Sequence, residues 1–359
     1  MGLLPEDLDD ITNDLGELSR LFKNKRVVLA GSLGFLGYGF LHFLAHLNEK
    51  FGLNICVDAL DIRSPDTVWW AKKLQSAADN GITFYEFDIA DKQQFENLGR
   101  FDYFIHAASI ASPSFYRQFP IQTIKANIFG LFNLLEFSVK QAPSAGILFF
   151  SSSEVYGDPD AAFVPTAEDY VGRVSFTGPR ACYDESKRLG ETICVNFHQE
   201  HDLNIKIARP FNNYGPGLLL GDKRLVPDIC KSILANENIE LFSDGSPTRT
   251  FCYISDAIKG YLRTLLIGNS GTAYNIGNDK PEITVTQMAE FFAEEANLIT
   301  GYSKDIISSQ SHDRAYLTDN PQRRCPDLKR ARSELGFEPR IDVKSGARRT
   351  LRWYLEHQD

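Results

Sequence analysis

Arg26-Val27-Val28-Leu29-Ala30-Gly31-Ser32-Leu33-Gly34-Phe35-Leu36-Gly37 decides how the rest of the chain is read. Its first five residues are a short apolar run of strand type. Beyond the glycines, Phe40, Leu41, Leu44 and Leu47 share one face of a helix. Strand, glycine turn and helix in that order let the backbone turn tightly and come close to a pyrophosphate, which the positive helix N-terminus attracts. The glycine spacing alone is weak evidence. Its place between a strand and a helix makes it a dinucleotide fingerprint.

Downstream the alternation repeats. Asn54-Ile55-Cys56-Val57 reads as a strand ending at Asp58, where a carboxylate accepts hydrogen bonds from both adenosine ribose hydroxyls and repels a 2′-phosphate. The expected cofactor is therefore NAD rather than NADP, with Arg63 nearby to soften the preference; an ordinary turn residue is the competing reading of Asp58. A strand from Thr83 to Phe87 delivers Asp88 and Ile89 to the adenine edge. Another, Phe101 to Ile105, leads to His106 and then Ala107, Ala108 and Ser109, whose small side chains admit the cofactor. The expected cofactor-binding set is thus Gly31, Gly34, Phe35, Leu36, Gly37, Asp58, Asp88, Ile89, Ala107, Ala108 and Ser109, joined by Tyr183 and Lys187. His106 reads as a packed strand-end histidine with no metal site around it. A long helix, Ile121 to Lys140, carries Asn127 and precedes the strand Ile147 to Phe150. The expected fold is α/β, a Rossmann-type doubly wound parallel sheet with a smaller C-terminal substrate-binding domain, and ligands bind beyond the carboxyl ends of such strands.

The other informative stretch opens Ser151-Ser152-Ser153-Glu154-Val155-Tyr156-Gly157 and closes Gly178-Pro179-Arg180-Ala181-Cys182-Tyr183-Asp184-Glu185-Ser186-Lys187. Tyr183 and Lys187 are four apart at the start of a helix and share a face. A phenol, with a reference pKa of about 10, is a poor base. A neighbouring ammonium favours the phenolate and moves that value down. Such a tyrosine beside the Ser152 hydroxyl removes a proton from a sugar alcohol while hydride leaves the same carbon. An ordinary surface pair is the bland reading of Tyr-x-x-x-Lys by itself. Joined to the serines and to the glycine turn, the pair reads as a redox site.

The chain has 359 residues, with 47 acidic against 38 basic side chains and a net charge of −9. Without a long like-charge block, that balance argues against a nucleic-acid partner. The six cysteines contain no C-x-x-C pair and read as reduced, cytoplasmic residues. No apolar run reaches membrane-spanning length, and Met1 to Arg20 is acidic without a signal-peptide core, so no membrane partner is expected. Residues 1–24 form an acidic amphipathic lead-in suited to packing or an interface, 25–209 the NAD-binding domain, and 210–359 mainly the substrate domain, with some segments returning to the sheet.

These residues resemble the extended short-chain dehydrogenase/reductase superfamily from Lys25 onward, and within it the UDP-glucuronate decarboxylases (UDP-xylose synthases). The phrases that carry the likeness are Ala111-Ser112-Pro113, Ser153-Glu154-Val155-Tyr156-Gly157-Asp158-Pro159, Gly178 to Glu185, and Asn320-Pro321-Gln322-Arg323-Arg324-Cys325-Pro326-Asp327. The resemblance implies a redox triad of Ser152, Tyr183 and Lys187, assisted at the carboxylate-bearing carbon by Ser153, Glu154 and Arg324. It implies that Asn212 holds a diphosphate oxygen with Arg224 and Arg249 as charged partners, since arginine meets phosphate with paired, charge-assisted bonds. Tyr116 completes the expected substrate-binding set. The chain departs from the pattern at Ser186, where glycine is usual, and at Ala107, where leucine is usual. Its lead-in is longer and the segment around Trp69-Trp70 wider.

The implied activity is NAD-dependent decarboxylation of UDP-glucuronate to UDP-xylose through a 4-keto intermediate, NAD being recycled within the site. Nucleotide-sugar 4-epimerases and 4,6-dehydratases compete with it, as does a non-catalytic NAD-binding protein. The dehydratases carry Asp-Glu where this chain has Ser153-Glu154, and the 4-epimerases usually lack the glutamate. The helices Ile121–Lys140 and Tyr183–His201 imply, by the same resemblance, a four-helix homodimer interface. Arg348, Arg349 and Arg352 near the end read as a solvated basic face.

Overall fold

The computed structural model of the chain describes residues 2–77, 80–309, 318 and 320–357. The strands β1 (Arg26–Ala30), β2 (Cys56–Asp61), β3 (Ile82–Glu86), β4 (Tyr103–His106), β5 (Gly146–Phe150) and β6 (Asn204–Pro210) form one parallel sheet. The strand Ala273–Ile276 joins it beside β6. Their spatial order is β3-β2-β1-β4-β5-β6 and then Ala273–Ile276. The chain therefore winds outward one way from β1 and, from β4, the other way, leaving a crevice where the direction switches.

The apolar run of β1 explains its central place. Val27 and Leu29 face one core with Phe40 and Leu44, while Val28 and Ala30 face the other with Leu131 and Leu134. Both faces being covered, the strand needs no polar alternation. Helix α1 (Pro5–Leu15) precedes the sheet, and α2 (Phe35–Phe51) and α3 (Trp69–Ser76) follow β1 and β2. After β4 come α4 (Pro113–Gln118), α5 (Pro120–Ile124) and α6 (Gly130–Gln141), the last two joined by a π turn at Lys125–Phe129. The expected helix over 121–140 is thus one rod with a bulge, and the bulge buries Asn127, whose Nδ2 donates to Ser186 Oγ at 2.8 Å. Helix α7 (Ala181–His201) carries Tyr183 and Lys187 and ends at Asp202 in the left-handed conformation.

The second half adds a small sheet in which Thr248–Arg249 lies between Ile283–Thr284 and Arg323–Arg324. The helix Ile254–Ile267 packs against the main sheet, Val285–Thr300 meets the small sheet at Ile283–Thr284, and Val343–Glu356 packs on Val285–Thr300. The lead-in folds back onto this half. Tyr253 Oη donates to Asp7 Oδ2 at 2.8 Å, and Arg263 Nε to Asp14 at 2.7 Å. The basic face expected to be solvated is also paired: Arg348 and Arg352 stay about half exposed, and Arg349 is mostly covered. Arg349 meets Asp7 and Asp10, Arg352 meets Glu6, and Arg348 meets Glu295. Opposite charges at the two ends of the chain find each other, which no local pattern reveals.

Candidate active site

Each glycine of the first turn has a measurable reason. Gly31 sits at φ +82, and a Cβ there would come within 2.6 Å of the Ala107 and Ala108 backbone. A Cβ at Gly37 would lie 2.2 Å from Ser32 O. Gly34 is the N-cap of α2 and, with Phe35 and Leu36, lines the cleft, so the start of the helix lies against it. This is a cradle that side chains would fill, and it fits a pyrophosphate. Phe35, Leu36, Asp88, Ile89, Ala107, Ala108 and Ser109 line the same cleft.

Asp58 does not. The strand β2 runs three residues beyond the expected end, so Asp58 lies inside it, paired with Arg26 Nε at 2.7 Å. The carboxylate at the end of the strand is Asp61. Its Oδ2 accepts from Leu33 N at 3.0 Å, within the glycine turn, and its Oδ1 from Arg63 N at 3.0 Å. Asp61 and Arg63 line the cleft, at the strand end where Asp58 was expected. The signal was present in Ala59-Leu60, which continue the apolar run past Asp58.

The cleft holds about 1080 Å³ and opens at the carboxyl ends of the strands. Ser152, Ser153 and Glu154 leave β5 in a tight turn in which Ser152 Oγ accepts from Glu154 N at 3.2 Å. Opposite them stands Tyr183, its ring stacked on Tyr116 with centroids 5.1 Å apart and planes at 14°. Burial pushes the Tyr183 phenol up to about 12, against a hydrogen bond with Ser152 that lowers it. The expected lowering by Lys187 is not what the resting site has. Lys187 Nζ is 5.6 Å from the Tyr183 ring centroid and donates to Phe150 O at 2.8 Å. Burial also brings that ammonium down to about 7, which weakens it as a cation beside the phenol.

Glu154 is the centre of a charged cluster. Its Oε2 accepts from Arg180 Nη2 and, at 3.0 Å, from Arg324 Nη2. Burial works to raise its carboxyl, but Arg180, Arg324 and Arg249 win and hold it below the usual range. Arg180 went unassigned in the sequence, although it lies in the most discriminating phrase. It is buried, and its Nε stands 3.6 Å from Asp184 Oδ2. Burial and the nearby Glu154 charge push Asp184 up to about 7.

Arg249 and Arg324 are register partners on adjacent short strands. Like charges so placed repel one another. Among the described residues, Arg249 donates to Asn320 and to the carbonyls of Thr248, Pro321 and Gln322, and burial followed by Arg324 brings it down to about 10. Arg324 is 4% exposed, and its Nη1 has no partner among the described residues. Asn212, at φ +41, donates to Thr250 O at 2.9 Å, and Arg224 is clasped by Asp222. With Tyr116 these residues all line the cleft, so every expected catalytic and substrate residue meets there. His106 lies beneath it, packed edge-on against Phe149.

Residues 27–277 match the NAD dependent epimerase/dehydratase family. The chain is 33% identical over 340 residues to "UDP-glucuronic acid decarboxylase 1" of Danio rerio, covering 93% of this chain and 74% of that one. It is 34% identical over 326 residues to "UDP-glucuronic acid decarboxylase 3" of Arabidopsis thaliana, covering 90% and 87%. Its fold is shared with a UDP-glucuronic acid 4-epimerase variant from Bacillus cereus, solved with UDP-4-deoxy-4-fluoro-glucuronic acid and NAD. The TM-score is 0.75 at 22% identity, over 92% of this chain and 99% of that one.

Proposed function

The chain belongs to the NAD dependent epimerase/dehydratase family, and from that premise we propose that it decarboxylates UDP-glucuronate to UDP-xylose. The observation that supports a carboxylated sugar as the substrate is the pair Arg249 and Arg324, held in register, with Arg324 Nη1 buried and unpaired among the described residues. Two repelling cations beside a single ionised Glu154 are stabilised by an anionic ligand, and a sugar carboxylate supplies planar geometry for Arg324.

Gly31, Gly34, Gly37, Asp61, Asp88, Ile89 and Ala107 to Ser109 would hold NAD. When bound, NAD supplies the acceptor and then the donor for the C4 hydrogen, and its positive ring favours the phenolate of Tyr183. Tyr183 takes the proton of the C4 hydroxyl, with the Ser152 hydroxyl beside it to share developing charge. The C4 ketone is β to the C6 carboxylate, so carbon dioxide leaves with its bonding pair taken up by that ketone. Arg324 holds the carboxylate before it leaves. Glu154, kept ionised by its arginines, orients the water that protonates C5 in place of the lost carboxylate, the hydroxide so formed taking a proton from solvent, and Tyr183 gives its proton back to the C4 oxygen as C4 is reduced. Ser153 lines the wall behind it, and Arg224 and Asn212 take the diphosphate. In this division 25–209 carries the redox chemistry and 210–359 supplies Arg249 and Arg324.

A 4-epimerase acting on the same carboxylated sugar is the competing outcome, because Arg324 would serve it equally. Purified protein given UDP-glucuronate should release carbon dioxide and yield a pentose nucleotide. A six-carbon product without carbon dioxide overturns the decarboxylase reading. We place the enzyme in the cytoplasm, on six free cysteines and on the absence, among the described residues, of a helix able to cross a membrane. A homodimer is supported by apolar side chains left exposed on α5 to α7.

A further inference from the structure

In the proposed decarboxylation, on which this inference rests, Arg324 must serve two anions. At rest it holds Glu154, and with substrate bound it holds the sugar carboxylate. Something else must then keep Glu154 charged and in place. Arg324 comes from a two-residue strand in the second half of the chain. Arg180 is the N-cap of α7, immediately before the helix that carries Tyr183 and Lys187.

The surroundings of the two arginines differ accordingly. Among the described residues, Arg324 has one carboxylate partner and an unpaired Nη1. Arg180 lies between two carboxylates, with Nη2 on Glu154 and Nε 3.6 Å from Asp184. Its guanidinium stands 6.0 Å from the centroid of the Tyr116 ring, which is stacked on Tyr183. Both the phenol and the Glu154 carboxylate are thus referred to one rigid helix. We propose that Arg180 is a positioning residue that holds the Glu154 carboxylate fixed relative to Tyr183, and charged, while Arg324 turns to the sugar carboxylate.

Among the described residues, the charged and titratable groups around Glu154 are Arg180 at the N-cap of α7, Asp184 and Tyr183 within α7, Tyr116 on α4, and Arg249 and Arg324 on the small sheet. Removing Arg180 leaves Glu154 and Asp184 facing each other across a buried gap. Like charges disfavour ionisation, so Glu154 should hold its proton to higher pH. Because turnover needs the carboxylate form, the acid limb of kcat should move upward.

The test uses the full-length protein loaded with NAD, comparing wild type with Arg180→Gln and Arg180→Lys. Carbon dioxide release from UDP-glucuronate gives kcat and KM across pH, and 13C NMR of the Glu154 carboxyl follows its titration in the resting protein. For Arg180→Gln we expect kcat to fall ~10²-fold, with KM changed by less than about threefold. Both the acid limb and the Glu154 midpoint should rise by about one pH unit or more. Arg180→Lys should recover part of each effect, and it carries the test if the glutamine variant does not fold. A raised KM with kcat preserved overturns the proposal, since Arg180 would then bind substrate. A lower kcat with an unmoved acid limb and Glu154 midpoint overturns it as well. A wild type that releases no carbon dioxide sinks the decarboxylase reading alone; the Glu154 midpoint still decides whether Arg180 governs that carboxylate.

Discussion

At the scale of single residues, Tyr183 is the base in the proposed chemistry and Asp61 the ribose ligand. Tyr183→Phe keeps the ring that stacks on Tyr116 but removes the ionisable oxygen. Turnover should fall at least ~10²-fold while NAD still raises the melting temperature. Near-normal turnover would remove Tyr183 from the mechanism. Asp61→Ala should abolish most stabilisation by NAD, whereas Asp58→Asn should lower stability without changing the preference for NAD over NADP. The opposite pattern in the thermal shifts would restore Asp58 to the ribose. The meeting of Gly31, Gly37, Tyr183 and Lys187 at one cleft was legible in the sequence because each placement depends on a few neighbouring residues. Asp58 was expected at the strand end but lies inside the strand, because a strand end is set by how far its partner extends, and β1 pairs as far as Leu60. The adjacency of Arg249 and Arg324 was not legible at all, since it depends on the register of two-residue strands 75 positions apart (324 − 249).

At the scale of elements, the lead-in is a clamp. Asp7 is fully buried and meets both Arg349 and Tyr253. Burial raises its carboxyl from 3.8 to about 6, although Tyr253 and Arg349 oppose the shift. A raised acid binds its proton more tightly folded than unfolded, so its contribution is fully present below the unfolded value and lost as pH rises through about 6. Arg349 limits that loss. Arg349→Ala should therefore destabilise the protein by ~3–5 kcal/mol above neutral pH, as expected on stripping one partner from a buried pair. The penalty should shrink below pH ~5, where Asp7 is protonated and needs no cation. Denaturant unfolding at pH 8 and pH 5 checks this, and an equal loss at both would mean that Arg349 acts through packing alone. The sequence showed an acidic amphipathic start and a basic end separately; their pairing needed the intervening fold.

At the scale of the whole molecule, the question is what covers the helices beside the catalytic one. Ile121 is 59% exposed, Phe129 54% and Phe132 39% along α5, the π turn and α6, and Leu189 on α7 is 49% exposed. Spacings of eight and three residues from Ile121 to Phe132 put these side chains near one face of a rod. An apolar stripe of this length is unusual on a monomer, and a twofold axis lets one patch cover itself. Two helices from each copy then give an interface of the usual ~1,200–2,000 Å². The proposed dimer would cover α7 on the side away from Tyr183 and Lys187, so assembly should steady the redox groups as well as hide apolar surface. Phe129→Glu together with Phe132→Glu places charges in the centre of that interface, where desolvation makes them costly. Sedimentation velocity should find the wild type at twice the monomer mass and the double variant as a folded monomer. Carbon dioxide release by the monomer should be reduced, because α7 has lost its support. A wild type that sediments as a monomer at micromolar concentration would refute the dimer and leave the stripe to another partner.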